Sequence, residues 1–234
     1  MTLIDLGEPV PRNGTLSFRG FEYSCHEKIW LDPPAAKPEK DVFTVLEQRQ
    51  TRRDFQLLSY DEISHLLWYS IKRRSAIIDH GRYIWQHAAT PSAGGCYPID
   101  ILIIGTSGRA DGVFYYDPIG HVLAQISEPD EEAREKLVQV AMECSAAKSL
   151  GTLFWFAAQF SRTNSRYQNP DSLIWRDSGA LLATIGIVAE ALSLNCCGLG
   201  ATGNPSLSRM VNASDLIVGT GGCIVGSGLS GPDR

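Results

Sequence analysis

Three short stretches of the 234-residue chain combine residue types that could do chemistry. The first is RQTRRDF, in which Arg49, Arg52 and Arg53 surround Thr51. Guanidinium groups give charge-assisted, often bidentate hydrogen bonds to a phosphate, and a threonine hydroxyl adds one more. The same cations also suit the C-terminal end of a helix, where exposed carbonyls attract positive charge and no ligand is needed. The second stretch is TPSAGGCYPID, which sets Pro91, Ser92, Ala93, Gly94 and Gly95 just before an apolar run. It reads either as a plain tight turn or as backbone that approaches something flat or charged, with no Cβ at the glycines. The third is SRYQNPDS, in which Arg166 precedes Tyr167. A phenol, ordinarily of pKa about 10, becomes a usable acid or base beside a cation, whereas an arginine stays charged and carries protons poorly. Packing of a polar loop is the alternative.

These stretches need elements to hold them. DVFTVLEQR places Val42, Val45 and Leu46 on one helical face. In SYDEISHLLWYS, Ser59 and Glu62 have capping-box spacing, with Ile63, Leu66 and Leu67 as the apolar stripe. IDILIIG, VFYYD and HVLAQI read as strands of an antiparallel meander, joined by TSGRADG and PIG. An acid-led helix, PDEEAREKLVQVAMECSAA, and a buried strand, GTLFWFAAQF, follow. The longest helix is expected at about 172–195, then a short helix in PSLSRMVN and a last strand in DLIVGTGGCIVG. Residues 74–98 read as irregular. Residues 1–39, proline-rich and aperiodic, read as an extended N-terminal arm, and 40–234 as one domain of class α+β. Along the long helix, Gly179, Ala183 and Gly186 share one face. A glycine there costs on the order of 1 kcal/mol relative to alanine, so the stripe predicts close approach of another helix. That helix could come from the same chain or from a second copy.

Composition excludes several classes of function. Hydrophobic residues make up 44% and charged residues 20%, ordinary for a globular protein. A net charge of −5 argues against nucleic-acid binding. No run approaches the roughly 18 apolar residues of a membrane span. The start, MTLIDLGEPVPRNG, lacks the basic and apolar regions of a signal peptide, so a cytoplasmic location is expected. Six cysteines (Cys25, Cys96, Cys144, Cys196, Cys197, Cys223) form no C-x-x-C pair, and the histidines form no ligand pattern. Reduced thiols and no metal site are expected.

In order and spacing, these motifs resemble the nitroreductase superfamily of FMN-dependent oxidoreductases, and within it the SagB-type or azoline dehydrogenase branch. EQRQTRRDF is similar to an R-x-S-x-R-x-F element, with Thr51 in place of serine. TPSAGGCYPIDILII is similar to P-S-A-G-x-x-Y-P followed by a strand, and GVFYYDPIGHVLAQI to a hairpin with a Tyr-Asp pair before its turn. WRDSGALLATIGIVAEALSLNCCGLGA looks like the long helix and the pocket loop beyond it, and SCHEKIW like a short His-Glu-Lys element. The resemblance runs from about Cys25 to Gly226.

The resemblance implies a nitroreductase-like fold, with a mostly antiparallel sheet flanked by helices. It also implies a homodimer, with the long helix at the interface and two FMN sites. By it, Arg49 and Thr51 sit near the phosphate and ribityl chain, and Arg53 reaches the pyrimidine edge of the ring. Pro91, Ser92, Ala93 and Gly94 of one subunit border the flavin held mainly by the other. Gly198, Leu199, Gly200 and Ala201 cover one ring face, although the glycines would equally cap the preceding helix. Arg52 has no counterpart and reads as solvated. Arg166 and Tyr167 stand where azoline oxidases carry a Lys-Tyr pair, which makes them the candidate catalytic residues. Asp177 and Ser178 replace a common glutamate, and of a C-terminal basic pair only Arg234 remains. The implied substrates are a quinone, a nitroaromatic or another small molecule, or a modified peptide such as an azoline. The last would bring a partner protein of a modification pathway. An NAD(P)H-dependent nitro or quinone reductase and a non-catalytic, partner-binding scaffold are the alternatives.

Overall fold

The computed structural model describes residues 5–79, 82–213 and 216–228. In chain order its elements begin with β1 (Val10–Pro11), β2 (Cys25–Trp30), α1 (Val42–Gln48), α2 (Tyr60–Ser70), β3 (Ser75–Asp79) and β4 (Arg82–His87). After a 3-10 turn at Ala93–Gly95 come β5 (Ile99–Thr106), β6 (Arg109–Asp117), β7 (Val122–Ile126), α3 (Glu131–Ser145) and β8 (Thr152–Ala158). The chain finishes with α4 (Phe160–Asn164), β9 (Tyr167–Gln168), α5 (Asp171–Ala191), β10 (Asn195–Leu199), α6 (Ser206–Met210) and β11 (Val218–Gly226).

Seven strands form one sheet in the order β10-β11-β8-β5-β6-β7-β2. Every neighbouring pair is antiparallel. At its centre Leu102 lies opposite Trp155 and Ile103 opposite Phe154. All residues of β5 and β8 are buried. Successive strand side chains point to opposite faces, so an unbroken apolar run requires cover on both. Ile101, Ile103, Phe154 and Phe156 pack with Leu66 and Leu67 of α2 and Leu181 and Ile185 of α5. Leu102, Ile104 and Trp155 pack with Leu137 of α3 and Leu207 and Met210 of α6 on the other side. Burying each such side chain stabilises by about 1.5–3 kcal/mol. The α+β class and the meander β5–β6–β7 agree with the sequence reading.

Several local expectations need correction. The stretch 74–98 contains the hairpin β3–β4, with Ser75 opposite His87. The arm also does structural work: β2 is an edge strand of the main sheet, with Trp30 opposite Val122, and β1 pairs with β9. CHEKIW is exposed at most positions, so it carries little hydrophobic signal. In α1 only Val45 is buried, while Val42, Phe43 and Leu46 are exposed. The α2 capping box is present: Ser59 Oγ accepts from the Glu62 N–H, and Glu62 Oε2 from the Ser59 N–H. Helix α5 stops at Ala191, because Asn195 already begins β10.

Among the described residues α5 is also the one helix long and apolar enough to cross a membrane, with mean hydropathy 1.2 over its best window. It packs Ile174, Leu181, Ile185 and Ala189 into the core and carries the buried Asp177 and Glu190, as a core helix does.

Candidate functional site

Helix α5 organises two groups of site residues at different heights. Toward its C-terminal half, a groove of about 340 Å³ is lined by Arg49, Thr51, Ala183, Gly186, Cys196 and Gly198, among others. Arg49 caps the C-terminus of α1, which turns Arg49 and Thr51 outward toward β10, and both are exposed. A Cβ built on Gly186 would meet nothing within 4 Å. This wall is therefore bare backbone, with a cation and a hydroxyl at its rim. Cys196 lines the same groove. A hydrogen bond with Cys223 and the Arg49 charge, working against burial, hold its thiol below the ordinary value.

The second group is the Pro91–Gly95 turn, nine residues nearer the N-terminus of α5, roughly 13 Å along its axis. Asp177 ties it down: Ser92 Oγ donates to Asp177 Oδ2 at 2.5 Å and the Ala93 N–H to Oδ1 at 3.1 Å. Burial raises the Asp177 pKa, and these two hydrogen bonds oppose that rise. Ser92 Oγ also accepts from the Tyr97 N–H at 2.8 Å. The serine thus braces the turn, giving its proton to Asp177 and accepting from the Tyr97 N–H. Pro91 and Ser92 border a water-sized pocket with Tyr97 and Leu181.

Arg166 and Tyr167 join this second group. Arg166 Nη1 donates to the Gly94 carbonyl at 2.5 Å. Gly94 is left-handed, with φ +58°, and a Cβ there would lie 2.8 Å from the Tyr167 hydroxyl. Only glycine admits the tyrosine at this distance. The candidate pair and the turn therefore converge, a meeting that β9 secures by pairing Tyr167 with Pro11.

Other site candidates lie elsewhere. Arg53 does not reach the groove; its Nε donates to the Ser145 carbonyl at the end of α3, at 2.8 Å. Leu199 and Ala201 pack against the core on the α3 face, leaving Gly198 as the loop's contribution to the groove. Gly200 is exposed, with open space beside it. Arg52 is not simply solvated: with Lys40 it pairs with the buried Glu190, at 2.5 and 2.9 Å. These two cations hold the Glu190 carboxyl below its ordinary value in spite of burial. Arg234 lies outside the described residues. Glu190 and Cys196 were given no role in the sequence reading, and Asp177 stood only as a replacement for a glutamate; burial of a charged residue inside an apolar helix was the available signal for Asp177 and Glu190.

The arrangement is thus a phosphate-sized rim above bare backbone, with a glycine turn and a phenol at another height of the same helix. The nitroreductase family matches this chain over residues 46–227. The chain belongs to the nitroreductase family. Members of the family are generally FMN-dependent oxidoreductases.

No curated protein matches the sequence. Among solved structures the fold is similar to a protein assigned as a nitroreductase from Ralstonia eutropha JMP134, with TM-score 0.64, 16% identity, and 96% of this chain and 99% of that chain covered. A chain of the Escherichia coli microcin synthetase McbBCD, bound to truncated pro-MccB17, is similar with TM-score 0.53 and 15% identity. That match covers 93% of this chain and 79% of the other. An FMN complex of a protein assigned as a nitroreductase from Desulfovibrio desulfuricans gives TM-score 0.51 and 14% identity, covering 84% and 93%.

Proposed function

We propose that the protein is an FMN-dependent oxidoreductase acting as a homodimer, with each flavin held between two copies of the chain. The observation that carries this reading is the separation of the two site groups along α5. The face of α5 bearing Gly179 and Gly186, which borders the groove, is open: an added Cβ at either would meet nothing within 4 Å. A second copy packed on that face would cover the stripe and bring its Pro91–Gly94 turn to the groove of the first. The exposed Val42, Phe43 and Leu46 of α1 would be covered with it.

The groove residues fit the cofactor. Arg49 and Thr51 would hold the phosphate, and Gly186 and Gly198 leave wall space that a side chain would fill. When bound, FMN supplies hydride transfer. The chain's own part is to bind, orient and exclude water. Leu182 and Ile187 make the groove walls apolar, Asp177 fixes the turn, and Arg166 anchors Gly94. Tyr167 places its hydroxyl beside that turn, as the candidate acid or base toward substrate.

The substrate is a small organic molecule or a modified peptide of azoline type, handled in the cytoplasm in the SagB-type manner. The motif around Thr90–Asp100 supports the peptide reading, as does likeness in fold to a chain of the microcin synthetase McbBCD, whereas Arg166 in place of a lysine departs from the azoline pattern and leaves Tyr167 to act alone. A partner protein belongs to that version of the function.

Flavin retention tests the assignment. Loss of one charge-assisted contact costs about 1.5–3 kcal/mol, so Arg49→Ala should bind FMN roughly ten- to a hundredfold more weakly. Arg53→Ala removes a contact to Ser145 and should retain FMN like the parent. A parent protein that binds no FMN, or an Arg49→Ala variant as yellow as the parent, sinks the proposal. The first outcome would leave the partner-binding scaffold.

A further inference from the structure

A second cavity, of about 390 Å³, shares no lining residue with the groove. Its roof is the N-terminal arm, which contributes Thr15, Phe18, Gly20 and Glu22. The arm is stitched down by backbone hydrogen bonds from Leu16 to Ser165 (2.8 Å) and from Arg12 to Arg166 (2.7 Å). The Phe21 N–H adds a bond to Gln159 Oε1 at 2.8 Å.

Beneath the roof lie two arginines in unequal circumstances. Arg162 is neutralised by Asp100, Nη1 to Oδ1 at 2.6 Å. Asp100 Oδ2 accepts in addition from Gln159 (2.6 Å), Tyr23 (3.1 Å) and Arg162 Nη2 (3.2 Å), so this carboxylate is fully committed. Arg73, only 6% exposed, has neutral partners instead. Its Nε donates to Gln86 Oε1 and its Nη1 to the Ile71 carbonyl, both at 2.7 Å, and its guanidinium lies 3.9 Å from the Tyr97 ring centroid. Among the described residues no carboxylate is ion-paired with it. Burial lowers its pKa to about 10, which leaves it a cation at neutral pH. Buried charges are ordinarily paired. Tyr115 shares the cavity wall, its ring stacked on Tyr23 at 4.4 Å. Burial keeps its phenol protonated, so the hydroxyl is a donor.

We infer that this cavity binds a small carboxylate, whose anionic oxygens meet the Nη2 edge of Arg73 and the Tyr115 hydroxyl. Glu22 and Asp117 also line the space and would repel a phosphate dianion, while offering acceptors to hydroxyl or ammonium groups elsewhere on the ligand. The volume falls within the range of about 300–1,000 Å³ usual for small-molecule sites. Arg166, which anchors the Gly94 turn, also lines this space, but the contacts inferred here do not use it.

Calorimetric titration of the full chain in chloride buffer tests it, with 3-hydroxybutyrate, β-alanine, neutral 3-hydroxybutyramide and inorganic phosphate as probes. 3-Hydroxybutyrate or β-alanine should bind saturably, with 3-hydroxybutyramide and phosphate each at least about tenfold weaker, as loss of a charge-assisted hydrogen bond implies. Arg73→Gln should weaken the carboxylate by about tenfold or more, and Tyr115→Phe, which keeps the ring on Tyr23, by severalfold. Absence of saturable carboxylate binding overturns the inference, as does a preference for phosphate or an affinity unchanged in both variants. If Arg73→Gln does not fold, Tyr115→Phe decides alone, and unchanged affinity there is the refuting result.

Discussion

Substituting the two open glycines of α5 gives a prediction whose sign depends on assembly. No atom lies within 4 Å of a Cβ built on Gly179 or Gly186, so within one chain a methyl at either meets nothing. Alanine is favoured over glycine in a helix interior by about 0.8–1 kcal/mol. For an isolated chain the double change Gly179→Ala, Gly186→Ala should therefore stabilise by roughly 2 kcal/mol. In a dimer seated on this face the same methyls intrude on the neighbouring backbone. Overpacking costs about 1–3 kcal/mol, and two-fold symmetry applies it twice. The larger side chain of Gly186→Leu should then give a monomer in sedimentation velocity, and should lose bound flavin with the dimer. Urea unfolding at two protein concentrations supplies the second readout, since only a dimer has a concentration-dependent midpoint. A double alanine variant stabilised by roughly 2 kcal/mol, with assembly and flavin content unchanged, would refute the proposed interface; so would a monomeric parent.

Two further outcomes are expected. Burial first, and then the charges of Lys72 and His65, depress the His121 pKa to about 4 from its ordinary 6.5, and the neutral ring hydrogen-bonds with Ser64 and Tyr116. A depressed folded value gives stability that is complete above pH 6.5 and lost as pH falls toward 4. Between pH 7 and pH 5 the fold should lose about 2 kcal/mol through this group. Denaturant midpoints should show that loss, and His121→Asn should flatten it; an equal slope in both proteins removes His121 as its cause. Tyr167→Phe should keep flavin and assembly but slow flavin reduction by the true substrate at least about tenfold, since acid–base contributions run about 10²–10⁴-fold. Equal stopped-flow rates would leave the tyrosine a packing role against Gly94.

How much was legible in the sequence depended on whether a residue's job was local. β5 and β8 announced themselves because strands covered on both faces carry near-continuous apolar runs, and the Ser59–Glu62 cap because its bonds span three residues. The turn at Thr90–Asp100 was recognised by its glycines, and Gly94 does take the left-handed conformation. What escaped was set by distant partners. Arg53 was drawn to a carbonyl 92 residues away, and Arg52 to a carboxylate 138 away, which no local spacing encodes. The brace from Ser92 to Asp177 likewise joins residues 85 apart. Arg73, Asp100 and Arg162 sit in a loop, a strand and a short helix, and only folding brings them around one cavity.

The edge strand β2 has a consequence for how the chain is made. Its partner β7 lies about a hundred residues downstream, with Cys25 opposite Ile126. At synthesis rates of about 5–20 residues per second, β2 leaves the ribosome roughly 5–20 seconds before anything it can pair with. During that interval its backbone donors and acceptors are open and its indole at Trp30 has no neighbouring strand. His26, Glu27 and Lys28, polar residues at the middle of the strand, are the kind of side chain that discourages edge-to-edge association while it waits. Because β1 must wait longer still for β9, the arm that roofs the second cavity is fastened only after most of the sheet exists. Elements made before the rest of the sheet, β1 and β2, thus wait on strands made long after them.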